Sequence, residues 1–368
     1  MAICKTTQSK FVAARKNLNS SLIERDNEVD LVLTGLLARE NVLLVGEPGL
    51  GKSLLARRLV DTLSYADKSF ELLISQTTQE DELFGSVTLE GMKQGTWERN
   101  TANTLAESRV AFLDEIFNGS SAILNGLLTV LNERKYQNGP KVQDVPLDMV
   151  IGASNVWPSS DGNAELNALF DRFMLRQSVR PIRRGMDRLM WGDLTLEGKA
   201  TIDEADLAKG HEDIASIEFE DDSRSTLMEL LRALEREGVR PTDRRKRKLP
   251  NLIRSYAYLC GDEVAENEHF SILAAALWTE PTKDQMRTVN STITRIAAPS
   301  GLIVESYMQE LDSVIAGMTD ELDSRLSANK KCEQIRKQLK KLGTEQALNA
   351  ASQVSEQIQQ LQAAAFAE

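Results

Sequence analysis

Residues 46–53 of the chain, GEPGLGKS, match the phosphate-binding pattern G-x-x-x-x-G-K-[ST] at every fixed position. The apolar residues 41–45 before the pattern predict a buried strand, and residues 53–60 after it predict a helix. The motif requires this order because its glycines let backbone N–H groups turn toward an anion, and the N-terminus of the helix adds partial positive charge. The segment therefore predicts an α/β domain that binds a nucleoside triphosphate.

Two side chains of this loop have specific expected roles. Lys52 would reach the β- and γ-phosphates, and the hydroxyl of Ser53 would ligate Mg²⁺. A chance glycine-rich turn is the alternative, but it does not explain why both flanking segments have the expected pattern. The predicted nucleotide-binding residues are Gly46, Glu47, Pro48, Gly49, Leu50, Gly51, Lys52, Ser53 and Leu54.

A second buried strand is predicted at residues 109–115, RVAFLDE, and it ends in two carboxylates. An aspartate at this strand end helps to hold Mg²⁺ in nucleoside triphosphatases, so Asp114 joins Ser53 as a predicted metal ligand. Glu115 follows directly and is placed to activate a water for attack on the γ-phosphate. The pair favours ATP hydrolysis over phosphoryl transfer by a kinase; an acidic strand end that faces solvent is the alternative.

Two further polar residues follow in order along the chain. Asn155 ends a third apolar stretch, residues 148–155, and could hydrogen-bond the attacking water or the γ-phosphate. Arg172 lies in the amphipathic segment 168–173, and an arginine supplied by another subunit can stabilise charge on a transferring phosphoryl group. In isolation, an ordinary strand-end asparagine and a surface arginine would be the default interpretations of these two residues.

Composition excludes several other classes of protein. The chain has 368 residues, enough for two or three domains, and its net charge of −11 argues against general nucleic-acid binding. No apolar run approaches the roughly 18 residues of a membrane span, and the N-terminus lacks a signal-peptide core. Three scattered cysteines predict a reducing cytoplasm, and two histidines argue against a histidine metal site.

The loop, the Asp-Glu strand end, the strand-end asparagine and Asp-Arg-Phe occur in the order and spacing of a AAA+ ATPase of the MoxR group, which the chain resembles. Further stretches are similar to the RavA branch of that group, and the resemblance covers roughly residues 15–285. These stretches are 112–116 (FLDEI), 122–128 (AILNGLL), 131–134 (LNER), 138–139 (NG), 153–155 (ASN), 169–172 (LFDR), 242–248 (TDRRKRK) and 277–278 (LW).

The resemblance implies a role for each matching position in the predicted core. Lys52 and Ser53 would be the Walker A pair, and Asp114 and Glu115 the Walker B pair. Asn155 would be the residue called sensor 1. The implied cofactors are ATP and Mg²⁺.

The resemblance also implies two arginines that act on the nucleotide. Arg172 would be the arginine finger, acting on ATP bound to the neighbouring subunit. Arg244 would be sensor 2, reaching back from the lid to the γ-phosphate, with the adjacent Arg245 as the alternative. The basic run 244–248 is also consistent with a nucleic-acid patch. The negative net charge of the chain favours a sensor arginine whose basic neighbours face solvent.

MoxR-group proteins carry two insertions in the ATPase core, which here would fall at residues 81–99 and 135–142. The first would be a hairpin or loop pair within the second helix. The second has Asn-Gly between β-prone residues, which predicts a hairpin before sensor 1. They are either plain surface hairpins or movable elements near the central pore of a ring.

The predicted fold class is α/β: a AAA+ core of parallel sheet and flanking helices, then an all-α lid and a C-terminal helical region. We place the core at residues 1–190, the lid at 191–298 and the C-terminal region at 299–368. In the C-terminal region, apolar residues recur every three or four positions, which suits helices paired as a hairpin or across subunits. RavA proteins carry an extra β-rich domain after the lid, for which this pattern leaves no room. The apolar positions are Val304, Tyr307, Leu311, Val314, Met318, Leu322, Ile335, Leu339, Leu342, Ala347, Ala351, Val354, Ile358 and Leu361.

MoxR proteins typically work as hexamers beside a von Willebrand factor A protein, and they remodel client enzymes. The resemblance therefore implies an ATP-hydrolysing homo-oligomeric ring, with such a partner and a protein client. Two other classes stay open at this point: a nucleic-acid motor or loader on the same core, and a scaffold in which nucleotide only holds the ring together.

Overall fold

The computed structural model describes residues 3–158, 164–192, 194, 201–319 and 322–366. The strands are β1 (Asn41–Val45), β2 (Ser69–Leu73), β3 (Val110–Asp114), β4 (Lys135–Asn138), β5 (Lys141–Asp144), β6 (Met149–Ser154), β7 (Phe173–Ser178), β8 (Glu218–Phe219) and β9 (Val264–Ala265). The α-helices are α1 (Lys5–Ser21), α2 (Asp26–Ala38), α3 (Lys52–Asp61), α4 (Glu80–Phe84), α5 (Leu89–Gln94), α6 (Ser121–Glu133), α7 (Ala164–Asp171), α8 (Met186–Trp191), α9 (Glu204–Ser216), α10 (Asp221–Arg236), α11 (Asp243–Cys260), α12 (Lys283–Ile296), α13 (Ser300–Ala316), α14 (Leu322–Leu342) and α15 (Glu345–Phe366). Short 3₁₀ helices lie at Ala66–Lys68, Leu105–Glu107, Ile116–Asn118 and Asn267–Ala275.

A five-stranded parallel sheet with the order β2-β3-β6-β1-β7 forms the centre of the core. Every residue of β1 and β6 is buried, as expected for strands that helices cover on both faces. Because all five strands point the same way, their carboxyl ends meet at one edge of the sheet and their amino ends at the other. We call these the carboxyl edge and the amino edge; ligands of such sheets bind outside the carboxyl ends.

The predicted fold class is confirmed: a parallel α/β core is followed by a lid dominated by helices and by a helical C-terminal region. The lid differs from the predicted all-α domain in one detail, because it contains the strands β8 and β9, which form a parallel pair of two residues each. The proposed limits at residues 190 and 298 stay a prediction. Among the described residues, no helix combines the length and the apolarity needed to cross a bilayer.

Two buried arginines join the lid to β7. The guanidinium of Arg245 donates to the carbonyls of Met174 at 2.8 Å, Ala276 at 2.7 Å and Phe173 at 3.1 Å. Burial lowers its pKa to about 10, so it is still a cation at neutral pH. A buried charge with several carbonyl partners fixes the geometry around it, because each lost partner leaves a polar group unpaired in the interior.

Arg176 forms the second anchor between β7 and the lid. It donates to the carbonyls of Trp278 at 3.0 Å and of Phe173 at 2.9 Å. Its guanidinium carbon lies 4.0 Å from the centre of the Phe170 ring, within range of a cation–π interaction. Residues 173–176 therefore take part in both anchors, and the Arg245 anchor holds the first turn of α11 at the amino edge of the sheet.

The two core insertions pack against each other as one unit. The second is the predicted hairpin, β4 and β5, whereas the first contains the short helix α5 and a single bridge between Val87 and Arg99 in place of a strand pair. The side chain of Asn138 accepts from the backbone N–H of Arg99 at 2.7 Å and donates to its carbonyl at 3.1 Å. Gly139 has a φ of +58°, and a Cβ there would lie 2.3 Å from the carbonyl oxygen of Thr96. Residues 87–99 and 135–144 thus form what we call the insert platform.

The C-terminal helices α13, α14 and α15 pack together within one chain and share a small core. The sequence pattern allowed these helices to pair as a hairpin or across subunits. In the structure the apolar positions of the helices meet within one chain, as in a hairpin. The side chains of Leu322 and Leu361 lie outside the described residues. The core residues are Val304, Met308, Leu311, Cys332, Ile335, Leu339, Ala347, Ala350, Ala351, Val354 and Ile358.

The buried anchor predicts unequal effects for two adjacent arginines. Arg245→Met leaves the carbonyls of Phe173, Met174 and Ala276 without their donor, so the free energy of unfolding should fall by about 3–5 kcal/mol. Arg244→Met, at an exposed position, is the matched control and should change it by less than about 0.5 kcal/mol. Chemical denaturation of both variants measures the difference. Equal effects would show that Arg245 is not the anchor.

Glu28, buried in the first turn of α2, predicts a pH-dependent stability. Burial raises the pKa of Glu28 to about 7. The carboxylates of Asp26 and of Glu305, which lies on α13, add to this rise, whereas the charge of Arg25 opposes it. Between the unfolded pKa of 4.5 and about 7 the folded state holds a proton that the unfolded state releases, so stability falls as pH rises through this window. Glu28→Gln removes the penalty and should stabilise the protein by roughly 3 kcal/mol at pH 8, with the gain shrinking toward zero at about pH 4.5.

Denaturation of the Glu28→Gln variant at both pH values tests this window. Glu310→Gln, a change at an exposed glutamate on α13, is the control and should show no such dependence. A gain from Glu28→Gln that is the same at both pH values would contradict the raised pKa.

Candidate nucleotide site

The phosphate loop connects the carboxyl end of β1 to the first residue of α3. Gly49 and Gly51 have φ values of +82° and +83°, in the left-handed region that favours glycine. In the described part of the chain, nothing lies within 4 Å of the position that a Cβ would take at either glycine. The loop therefore forms an open cradle at the N-terminus of α3, where free backbone N–H groups and the helix dipole favour an anion.

The ammonium group of Lys52 lies inside this cradle. Its Nζ donates to the carbonyls of Gly46 at 2.5 Å and Glu47 at 3.1 Å, and to Oδ1 of Asn155 at 3.0 Å. Burial lowers the pKa of Lys52, and the nearby Asp114 and Glu115 carboxylates oppose that shift. A bound triphosphate would offer the same ammonium stronger, charged acceptors than these carbonyls.

Glu115 and Asn155 meet beside the lysine because β3 and β6 are neighbours in the sheet. Glu115 has a φ of +51°, an uncommon value for a residue with a side chain, and this turn follows directly after β3. The Nδ2 of Asn155 donates to Oε1 of Glu115. The same amide thus contacts Lys52 through its oxygen and Glu115 through its nitrogen, so Asn155 connects the predicted phosphate ligand to the predicted base.

Asp114 and Ser53 fit the predicted metal site by the chemistry of their donors. Asp114 is partly exposed at the end of β3, and its Oδ1 accepts from the N–H of Glu115 at 3.0 Å. Ser53 is partly exposed in the first turn of α3. A carboxylate and a hydroxyl are the oxygen ligands that Mg²⁺ takes beside a nucleotide. The predicted residues of this half of the site therefore lie together at the carboxyl edge.

Arg172 lies at the opposite edge of the sheet. Its carbonyl accepts from Nδ2 of Asn41 at 3.2 Å, and Asn41 is the first residue of β1, whereas the phosphate loop follows the last. At about 3.3 Å per residue, β1 holds the backbone of Arg172 and the phosphate loop roughly 13 Å apart or more. Among the described residues, Nε of Arg172 is buried and has no hydrogen-bond partner. The guanidinium cannot take part in the site of its own chain in this arrangement.

The structure also places Arg244 at the amino edge, away from the phosphate loop of its own chain, and its role as sensor 2 stays a prediction. Arg244 is exposed in the first turn of α11 and lines the same small cavity as Arg172. Burial and then the charge of Arg244 lower the pKa of Arg172. The cause of this placement is the buried Arg245, which fixes the start of α11 against β7. Arg245 donates to main-chain carbonyls and is not available for a phosphate.

Glu24 and Arg25 are site residues that carried no sequence signal. Nη2 of Arg25 donates to the carbonyl of Leu50 in the phosphate loop at 3.0 Å. The carboxylate of Glu24 accepts from the backbone N–H groups of Arg184 and Gly185, each at 2.6 Å, and of Arg183 at 3.0 Å. Together they link the chain before α2 to the loop and to the segment after β7. Glu24 and its donors are about 160 residues apart, and Arg25 and Leu50 are 25 apart, which explains why no local pattern predicts these contacts.

Comparison with known proteins agrees with this architecture. The family model described as the MoxR domain in the MoxR-vWA-beta-propeller ternary systems matches residues 9–218, and a AAA lid domain matches residues 224–293. The chain is 35% identical to the uncharacterized protein MJ0812 of Methanocaldococcus jannaschii over 310 residues, which are 82% of this chain and 81% of that protein. The uncharacterized protein MJ0079 of the same organism is 36% identical over 274 residues, covering 74% and 70% of the two chains.

A solved structure shares the fold. The crystal structure of a candidate ATPase from Cytophaga hutchinsonii matches with a TM-score of 0.62 at 16% identity, covering 79% of this chain and 95% of that one. At this identity the likeness shows the fold alone, and the family rests on the sequence matches. The chain belongs to the MoxR family of AAA+ ATPases.

Proposed function

We propose that this protein hydrolyses ATP with Mg²⁺ in a site completed by a second copy of the chain. The observation that carries the proposal is the cluster of Lys52, Glu115 and Asn155 beside an open phosphate cradle. Lys52 would bind the β- and γ-phosphates, and Ser53 and Asp114 would hold Mg²⁺, which neutralises charge on the phosphate oxygens. The Walker and sensor names given to these residues by family resemblance fit these positions.

The chemistry proposed for the cluster is attack of water on the γ-phosphate. The Glu115 carboxylate orients that water and takes its proton. Asn155 holds Glu115 through its amide nitrogen and Lys52 through its amide oxygen. When ATP draws the ammonium of Lys52 toward its phosphates, Oδ1 of Asn155 would lose this partner. The Asn155 side chain would then be held only through Glu115, and its rotation would release Glu115 toward the water.

The second copy would supply two cations. Arg172 and Arg244 line one cavity at the amino edge, on the opposite side of the sheet from the phosphate loop. A head-to-tail contact between subunits brings the amino edge of one to the carboxyl edge of the next, and repetition of this contact closes a ring. We propose that both arginines act on the neighbour's γ-phosphate, and that the ring is a hexamer as in other MoxR proteins.

The ring would act on a protein client in the cytoplasm. The matching family model is named for systems that contain a vWA protein, and this supports a von Willebrand factor A partner here. The insert platform supplies a surface for a client, because it exposes several large apolar side chains and is held together by the contacts of Asn138 and Arg99. The finer assignment to the RavA branch stays a prediction. The exposed side chains are Leu89, Met92, Trp97 and Val142.

The basic run at residues 244–248 gives little support to a nucleic-acid motor. Arg245 is buried, Lys246 pairs with Glu235 at 2.6 Å, and Lys248 pairs with Glu40 at 2.7 Å. A nucleic-acid interface needs cations that are free to meet phosphates. ATP turnover stimulated by DNA or RNA would favour the motor, whereas function that survives without hydrolysis would favour a scaffold.

Glu115→Gln should separate hydrolysis from binding. The amide keeps the side-chain shape but cannot accept the proton of the water, so phosphate release should fall by roughly 10²–10⁴-fold while ATP binding persists. Lys52→Ala should instead abolish ATP binding, measured with a fluorescent ATP analogue. Glu218→Gln, at an exposed position on β8, is the control and should change neither quantity. Wild-type turnover of the Glu115→Gln variant would contradict its role as base.

Mixed assemblies should reveal that both arginines act between subunits. Arg172→Ala and Lys52→Ala should each lose most of the activity, since an arginine finger contributes roughly 10³–10⁵-fold to turnover. In a mixture, subunits with the intact loop receive Arg172 from Lys52→Ala neighbours, so phosphate release should partly recover. Arg244→Ala mixed with Lys52→Ala should recover in the same way.

The mixture of Arg244→Ala with Lys52→Ala also tests the alternative directly. If Arg244 served the nucleotide of its own chain, no subunit in that mixture would have both an intact loop and its own Arg244, and activity would stay absent. No recovery with Arg172→Ala would contradict the proposed site between subunits. A mixture of Arg172→Ala with Arg244→Ala subunits is the control. It should stay inactive, because every amino edge in it lacks one of the two arginines.

A further inference from the structure

Helix α8 exposes an unusual amount of apolar surface for its length. Met186, Leu189, Met190 and Trp191 are 45%, 43%, 56% and 82% exposed, and none of the six residues of the helix is buried. We call these four side chains the α8 patch. Single exposed apolar residues are ordinary on protein surfaces, but contiguous groups mark surfaces that contact another molecule.

The patch is held in a fixed position. The three backbone N–H groups of residues 183–185, directly before α8, donate to the Glu24 carboxylate. The guanidinium of Arg188 donates to the carbonyl of Ser20. Gly185 lies so close to Ile23 that a Cβ on the glycine would be 2.2 Å from its Cγ2. The helix is therefore attached to the last turn of α1 and to the segment before α2, and its four apolar side chains remain exposed.

The same attachment places the patch beside the phosphate loop. Arg25, next to Glu24, donates to the carbonyl of Leu50 in the loop at 3.0 Å. After β7, the N–H of Val179 donates to the carbonyl of Val45 at 2.7 Å, and Val45 is the residue before the loop. Both connections lead to the carboxyl edge of the sheet. The patch thus lies on the side of the molecule where the nucleotide site is open.

We propose that a neighbouring copy of this chain covers the α8 patch in the assembled ring; this inference rests on the function proposed above. The nucleotide site is incomplete without Arg172 and Arg244 of a second copy. A copy that brings its amino edge to the phosphate loop also covers the surface beside the loop, where α8 lies. The site and the patch then belong to one continuous subunit contact.

The charged groups of the two surfaces divide this contact into a polar part and an apolar part. Beside the patch, Arg183 pairs with Asp312 on α13 at 3.5 Å, and Arg188 donates to the carbonyl of Ser20, so both cations have partners. At the nucleotide site, the phosphates of ATP would meet Arg172 and Arg244 of the arriving edge. Apolar burial provides attraction that does not depend on charge. We therefore expect both ATP and the patch to strengthen assembly.

The test compares two double variants that add the same charge. In a Glu115→Gln background that keeps ATP intact, the patch variant carries Leu189→Glu and Trp191→Glu. The control carries Leu326→Glu and Leu348→Glu, because these leucines on α14 and α15 are 51% and 46% exposed and lie outside the patch. Sedimentation velocity with and without ATP measures the protein concentration at half assembly. It should rise about tenfold or more in the patch variant and stay unchanged in the control. Binding of a fluorescent ATP analogue to unassembled subunits should be equal in the Glu115→Gln protein, the patch variant and the control.

A second measurement reports on the patch itself. Acrylamide quenching of Trp191, taken as the difference between the full chain and Trp191→Phe, should decrease when ATP assembles the ring. Assembly of the patch variant at wild-type concentrations, or unchanged quenching of Trp191 in assembled rings, would overturn the inference and leave the proposed ring intact. A wild-type chain that stays monomeric in ATP would overturn both.

Discussion

The parallel direction of the five core strands is the constraint on which the site depends. It gives the sheet two chemically different edges, with the phosphate loop, Glu115 and Asn155 at the carboxyl ends and Arg172 at an amino end. A strand of five residues separates them, and no rotation of side chains can bridge that distance. A site that uses both groups must be built from two subunits. In the proposed function, ring assembly would follow from this sheet geometry, and hydrolysis would depend on how neighbours are arranged.

The buried guanidinium of Arg245 extends this division to the lid. It binds two carbonyls at the start of β7 and the carbonyl of Ala276, directly after the 3₁₀ helix Asn267–Ala275, so α11 begins at the amino edge. Arg244 is carried there with it and lies beside Arg172. In the proposed ring, a lid fixed in this way would move with the edge that meets the neighbour. Nucleotide in one subunit would then be sensed by the lid of the next, in contrast to the expected reach of Arg244 within its own chain.

The parts of the site that the sequence predicts are local in origin. A glycine loop between a strand and a helix, and polar residues at the ends of apolar strands, are visible because neighbours in sequence determine them. Adjacent strands then bring Lys52, Glu115 and Asn155 together. The choice between Arg244 and Arg245 could not be made in that way, because it depends on which face of α11 is buried against β7. Glu24 and its three backbone donors, and the contact of Asn138 with Arg99, join distant segments through single side chains and leave no periodic pattern.

A structure of the assembled Glu115→Gln protein with ATP and Mg²⁺, determined by electron cryomicroscopy, tests the central claim most directly. The account predicts that the guanidinium groups of Arg172 and Arg244 from one subunit both lie within hydrogen-bond distance of the γ-phosphate held by Lys52 of the next. Arg244 on the nucleotide of its own chain, or both arginines facing solvent in the closed ring, would contradict it.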